Sequence, residues 1–200
     1  MAIYNNILEA VGRTPLIKLN SISQEIQSTI YSKVEYLNPG GSTKDRIALS
    51  MIEAAEKAGK LQPGGTRIEV TAGNTGVGLA LIAAIKKYRC IFVMPDKMSQ
   101  DKINLLKAYG AEVVITPTSV PPDSPESFNG VAERLTKEIS GASRPNQFAN
   151  PNNPLAHYLT PGSEILSDSN GKVDVFVAAM GTGGTISGIG KYLKEQNKNL

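Results

Sequence analysis

The chain has 200 residues, 40% of them hydrophobic, and its 21 Lys and Arg against 18 Asp and Glu leave a formal charge of only +3. That apolar content suffices for a buried core in one or two domains, and the basic residues, dispersed among acidic ones, form no stripe suited to a nucleic-acid backbone. One cysteine, Cys90, excludes an intramolecular disulfide, no Cys/His spacing suits a metal, and neither a leader pattern nor a run of about 18 apolar residues occurs, so the chain reads as cytoplasmic and free of membrane.

In chain order, alternation over 30–34 predicts a strand stopped by Asn38-Pro39-Gly40-Gly41-Ser42. A helix follows over 45–58, with Ile47, Ala48, Met51, Ile52 and Ala55 on one face, Ser42 or Thr43 as cap and Gly59 as terminator. Next come a strand over 67–71, a helix over 75–88, a strand over 90–94, a helix over 99–109 ending at Gly110, and a strand over 112–116. Short strands separated by helices are the mark of βαβ units, hence of a parallel sheet with helices on its faces. The proline-rich 117–125 reads as a connector, 128–140 as a helix, and 146–153 as a polar stretch rich in Asn and Pro. The last unit is a strand over 173–179, a Gly/Thr turn, and a helix over 186–193.

Three segments follow predicted strands or turns on the side of a parallel sheet where ligands collect. Gly181-Thr182-Gly183-Gly184-Thr185 combines glycines that let backbone approach an anion with hydroxyls and a helix N-terminus. Thr71-Ala72-Gly73-Asn74-Thr75-Gly76 puts hydroxyl, amide and N–H groups at a helix start, where a carboxylate fits or an ordinary turn suffices. Pro39-Gly40-Gly41-Ser42-Thr43-Lys44-Asp45-Arg46 puts a lysine at the end of a helix where the dipole disfavours a cation. A solvated surface lysine is the plain reading of Lys44; an uncharged, imine-bound one removes the conflict.

In that order and at these separations, and with Gln147-Phe148-Ala149-Asn150-Pro151 between them, the segments resemble the cysteine synthase and cystathionine β-synthase family of pyridoxal-phosphate (PLP) enzymes. The resemblance runs from about Asn6 to the end, through Val11-Gly12-Arg13-Thr14-Pro15-Leu16. Val93-Met94-Pro95-Asp96-Lys97-Met98-Ser99, the 117–127 connector and Asn153-Pro154-Leu155-Ala156-His157-Tyr158 are similar to the cystathionine β-synthase branch. It implies an α/β fold of PLP type II, like the tryptophan synthase β-subunit, with two three-layer αβα domains and mostly parallel sheets. Residues 1–42 and 147–200 would form the larger, cofactor-binding domain, 43–146 the smaller, mobile one, and the C-terminal part of the larger domain would be missing.

The same resemblance implies that PLP is held as an imine by Lys44, which also moves the Cα proton as the catalytic base. Asn74 would bind the ring hydroxyl, Gly181, Thr182, Gly183, Gly184 and Thr185 the phosphate, and Thr71, Ala72, Thr75 and Gln147 the substrate carboxylate. Position 72 is often serine in the cysteine synthase branch, so here only the backbone N–H of Ala72 remains. The implied reaction condenses L-serine, or an activated serine, with L-homocysteine to cystathionine; the alternative makes L-cysteine from O-acetylserine and sulfide. Small amino acids are the implied partners, in a homodimer, with no metal.

Two other readings compete. Gly73-Asn74-Thr75-Gly76-Val77-Gly78 with Asp96 further on suggests a nicotinamide site, but the spacing is not that of a dinucleotide fingerprint and Lys44 would have no task. A catalytically inactive PLP-fold fragment is the other. His157, the only histidine, and Cys90 read as structural residues of the core.

Overall fold

The structure, a computed structural model, describes residues 3–71, 73–198 and 200. A three-stranded parallel sheet of order β3-β4-β5 is formed by β3 (Thr66–Val70), β4 (Arg89–Pro95) and β5 (Glu112–Thr116). Along β4 the side chains alternate between two cores as the pleat requires. Cys90, Phe92 and Met94 face a cluster that includes Ala48, Ile52, Leu79 and Leu106, whereas Ile91 and Val93 face Ile68, Val131 and Ala132. Every one of these strand residues is at most 4% exposed, the signature of a sheet covered on both sides.

The covering helices are α1 (Lys44–Lys57), α2 (Asn74–Lys86) and α3 (Gln100–Ala108) on one face and α4 (Phe128–Glu138) on the other. The Ser127 hydroxyl accepts from the Gly130 amide at 3.1 Å and caps α4. Gly59, with φ +68°, and Gly110, with φ +86°, take the left-handed turns after α1 and α3. The outer rim of β3 is also covered: Ser143 bonds to it through Ile68 N–H to Ser143 O at 3.1 Å and Ser143 N–H to Thr66 O at 3.1 Å.

The expected α/β architecture with a parallel sheet is present. Its strands and helices over 44–138 match their expected positions to within two residues at each end. A second, antiparallel ribbon pairs β1 (Leu16–Lys18) with β2 (Tyr31–Lys33). The polar 146–153 stretch leads into helices: α5 (Asn152–His157), a π-helical turn over Tyr158–Gly162 that contains Pro161, and α6 (Ser163–Asp168). Proline has no N–H for the i→i−4 ladder, so the wider turn falls where Pro161 sits. Last comes α7 (Gly184–Gln196).

One expected element is corrected. Residues 173–179 are not a strand: among the described residues none pairs with them. Val173 and Phe176 pack against Ile165, Ile189 and Leu193 of α6 and α7, while Val175 and Val177 are 76% and 85% exposed. An apolar run becomes a strand only where a neighbour takes its backbone hydrogen bonds.

α1 belongs to two cores at once. Ala48 and Ile52 face α2 and the sheet; Ile47 and Met51 face Ala156 of α5. Its first turn is also tied by charge. Arg46 bonds to both oxygens of Glu35, at 2.8 and 2.9 Å, and to both oxygens of Glu164, at 2.6 and 2.7 Å. Lys33 adds 2.8 Å to Glu164. Burial raises the Glu164 pKa, but hydrogen bonds from Arg46 and Lys33 outweigh it and hold the carboxyl at about 2.

Candidate active site

Lys44 is the first residue of α1, and the Ser42 hydroxyl, not Thr43, accepts its backbone N–H, at 3.1 Å. Position 78 of α2 is glycine because α1 passes so close: a Cβ there would lie 3.1 Å from the Lys44 carbonyl and 3.2 Å from the Asp45 Cα. The side chain is half-buried, and burial lowers the amine's pKa. Among the described residues the nearby ion pairs belong to Lys33 and Arg46 and leave the Lys44 amine without a carboxylate.

The 181–185 turn forms the start of α7. Gly183 sits at the helix boundary with φ +79°, a left-handed conformation suited to glycine, and the helix start has no side-chain cap. Apart from the Gly184 amide, which Thr182 Oγ1 accepts at 3.4 Å, the orphan amides of that first turn are therefore open to an anion. Both threonines lean on α5. Asn153 donates through Nδ2 to Thr182 Oγ1 at 2.9 Å and to the Gln147 carbonyl at 2.8 Å, and His157 Nε2 lies 3.2 Å from Thr185 Oγ1. His157 in turn senses Lys44: burial and then the positive charge of Lys44 lower its pKa to about 4.

Thr75 and Gln147 meet directly, Thr75 Oγ1 donating to Gln147 Oε1 at 2.6 Å. The loop bearing Gln147 is held by Glu69, whose Oε2 accepts from the Asn146 amide at 2.8 Å; burial raises the pKa of that carboxyl. Thr71 is buried at the end of β3, and Asn74 is exposed as the first residue of α2. Ala72 lies outside the described residues.

A cleft of about 180 Å³ opens between Gln147, Asn150 and Asn153 on one wall and Thr182, Gly183 and Gly184 on the other. Lys44, Thr71, Thr75 and Asn74 do not line it. A larger cavity, about 460 Å³, lies at the opposite rim of the sheet, where β4 and β5 begin, beside Lys87, Cys90 and Gly110. Burial pushes the Cys90 thiol up to about 12, so Cys90 offers that cavity no reactive thiol, whereas the smaller cleft is lined by the Gly/Thr turn and Gln147.

These residues fit PLP. The amine is half-buried with a lowered pKa, a glycine and threonine turn offers amides and hydroxyls to a phosphate, and α5 packs on α1 through Ala156 and bonds to the turn through His157. Sequence reasoning left out Asn153 and gave His157 only a structural part. Their signal was a spacing of four, from the last residue of the Asn/Pro stretch to the histidine beyond it, which places both on one face of a helix.

Residues 7–200 match the family described as pyridoxal-phosphate dependent enzyme. A cystathionine β-synthase of Apis mellifera is 54% identical over 197 residues, which is 98% of this chain and 39% of that protein. A cysteine synthase of Staphylococcus aureus is 49% identical over 199 residues, 98% of this chain and 62% of that protein. Among solved structures, a hydrogen sulfide-producing enzyme from Fusobacterium nucleatum superposes with a TM-score of 0.94 at 47% identity, covering 100% of this chain and 64% of that one. An O-acetylserine dependent cystathionine β-synthase from Helicobacter pylori gives 0.89 at 40% identity, covering 100% and 65%. The chain thus spans between 39% and 62% of the length of these curated relatives.

Proposed function

The chain belongs to the pyridoxal-phosphate dependent enzymes, and we propose that within them it serves β-replacement: the hydroxyl of L-serine, or its activated ester, leaves the β-carbon and the thiol of L-homocysteine bonds there, giving cystathionine. The observation that carries this reading is the half-buried amine of Lys44 at the start of α1, a helix that packs on α5, which in turn bonds to the Gly/Thr turn of α7. PLP, when bound, supplies the electron sink that makes the Cα proton removable. Lys44 would attach it, and its freed amine would take that proton; a burial-lowered pKa leaves more of the amine uncharged for this. Residues 181–185 would hold the phosphate and Asn74 the ring hydroxyl, while Thr71, Ala72, Thr75 and Gln147 would receive the substrate carboxylate.

In this reading 43–146 is the smaller, mobile domain, and the Thr75 to Gln147 bond reaches across to the larger one. A second reading, L-cysteine from O-acetylserine and sulfide, is supported by the 49% identity to a cysteine synthase. Borohydride reduction of the protein with PLP, followed by peptide mass analysis, should find one adduct, on Lys44, and Lys44→Ala should abolish it; an adduct elsewhere would overturn the site. Supplying serine with homocysteine against O-acetylserine with sulfide then separates the two reactions by product.

A further inference from the structure

Helices α5 and α7 meet along a seam of matched positions. Asn153 and His157, four apart on α5, sit against Gly184 and Gly188, four apart on α7. A Cβ at Gly184 would overlap the Asn153 amide oxygen, and one at Gly188 would lie 2.7 Å from the His157 Cβ and overlap the Pro154 carbonyl. The two polar side chains therefore fill the space the glycines leave, and each ends on one threonine of the 181–185 turn.

The direction of these bonds follows from the donors present. Asn153 faces the Gln147 carbonyl, which can only accept, so its NH₂ must lie on that side, and the same NH₂ reaches Thr182 Oγ1. Thr182 Oγ1 also accepts from the Gly184 amide at 3.4 Å. With both acceptor positions filled, its own proton points away from α5. For Thr185 the choice rests on the imidazole. His157, like Asn153, is 1% exposed, and its Nδ1 has no hydrogen-bond partner among the described residues. A proton on Nδ1 would be a buried donor with no acceptor, a rarer situation than a bare acceptor. The proton then belongs on Nε2 and is donated to Thr185. Burial and the charge of Lys44 oppose the doubly protonated ring.

We propose that Asn153 and His157 are positioning residues that donate into Thr182 and Thr185, so that both threonine hydroxyls present their protons outward to the phosphate of PLP. The proposal rests on the cofactor assignment above and deepens it: the turn would be selective for an anion that accepts two hydroxyl protons, in addition to whatever its backbone amides hold.

The chain has one histidine, so ¹⁵N-imidazole spectra of the unmutated protein report His157 alone. The expected result is a neutral ring protonated on Nε2 at neutral pH, with and without PLP; a proton on Nδ1, or an imidazolium, overturns the proposal without touching Lys44. The second measurement compares the affinity for PLP with that for pyridoxal, which lacks the phosphate. His157→Leu and Asn153→Leu should each weaken PLP about tenfold, as misaiming a hydroxyl that would otherwise donate to a charged group does, and leave pyridoxal within about twofold. His157→Gln, which keeps an N–H, should recover most of the loss. Equal weakening of both compounds, or no weakening, overturns the proposal. If the unmutated protein captures neither compound at Lys44, the cofactor reading itself falls and takes this inference with it.

Discussion

The two faces of β4 and the seam between α5 and α7 are buried to the same degree but held together by different means. Around β4, Phe92, Val93 and Met94 are 0% exposed and pack into apolar clusters with helices of both layers. At the seam the closed space is taken by an amide and an imidazole, also 1% exposed, with Asn153 Oδ1 and His157 Nδ1 unpartnered among the described residues. Apolar burial gains free energy in proportion to area, whereas a buried polar atom without a partner costs about 1–3 kcal/mol. The sheet is thus where stability accumulates, and the seam is where some of it is given up to hold two hydroxyls in place.

That contrast can be broken from either side. Phe92→Ala should have the largest effect on stability, about 4 kcal/mol in urea unfolding, from lost burial plus the cavity left, with PLP capture at Lys44 intact under conditions where the variant stays folded. Acid should act on the seam. Neutral His157 binds a proton less readily when folded, with a pKa of about 4 against 6.5, so the unfolded chain gains protons first. The His157 contribution should fall as pH drops from 6.5 and be fully lost near 4, by up to about 3 kcal/mol, and urea titrations of His157→Gln over the same range should be flatter. Gly188→Ala should cost less, about 2 kcal/mol of overpacking, yet displace His157 and weaken PLP capture, measured by the borohydride adduct. If Gly188→Ala leaves capture unchanged while Phe92→Ala abolishes it in the folded state, the division between the two regions is wrong.

The legible parts of the sequence are those whose signals are local. The β5 range was readable to the residue because alternating apolar and β-branched side chains lie between a terminating glycine and a proline-rich connector. Lys44, Thr75 and the 181–185 turn stood out because glycines and hydroxyls cluster beside a helix start, whereas Gln147 was picked out only by the family resemblance. The 173–179 segment misled because an apolar run specifies burial, not pairing, and here Val173 and Phe176 find cover while Val175 and Val177 stand exposed. Helices α5 and α6 were hidden by Pro154 and Pro161, which lower helix propensity although both are accommodated, one in a first turn and one in a π-helical turn. The bond from His157 to Thr185 joins positions 28 apart in the chain, and nothing short of the packing of two helices announces it.

The bonding of Ser143 along β3 has a consequence for how the protein behaves at high concentration. An open strand edge is a template for a foreign strand, and on that rim of the sheet Ser143 takes the Ile68 N–H and the Thr66 carbonyl while the Glu69 carboxylate takes the Val70 N–H. The opposite rim, β5, has no strand beside it among the described residues, and its Ile115 is 46% exposed. Self-association by strand addition therefore has one place to start on this sheet, and a charged residue at position 115 should suppress it without entering the core.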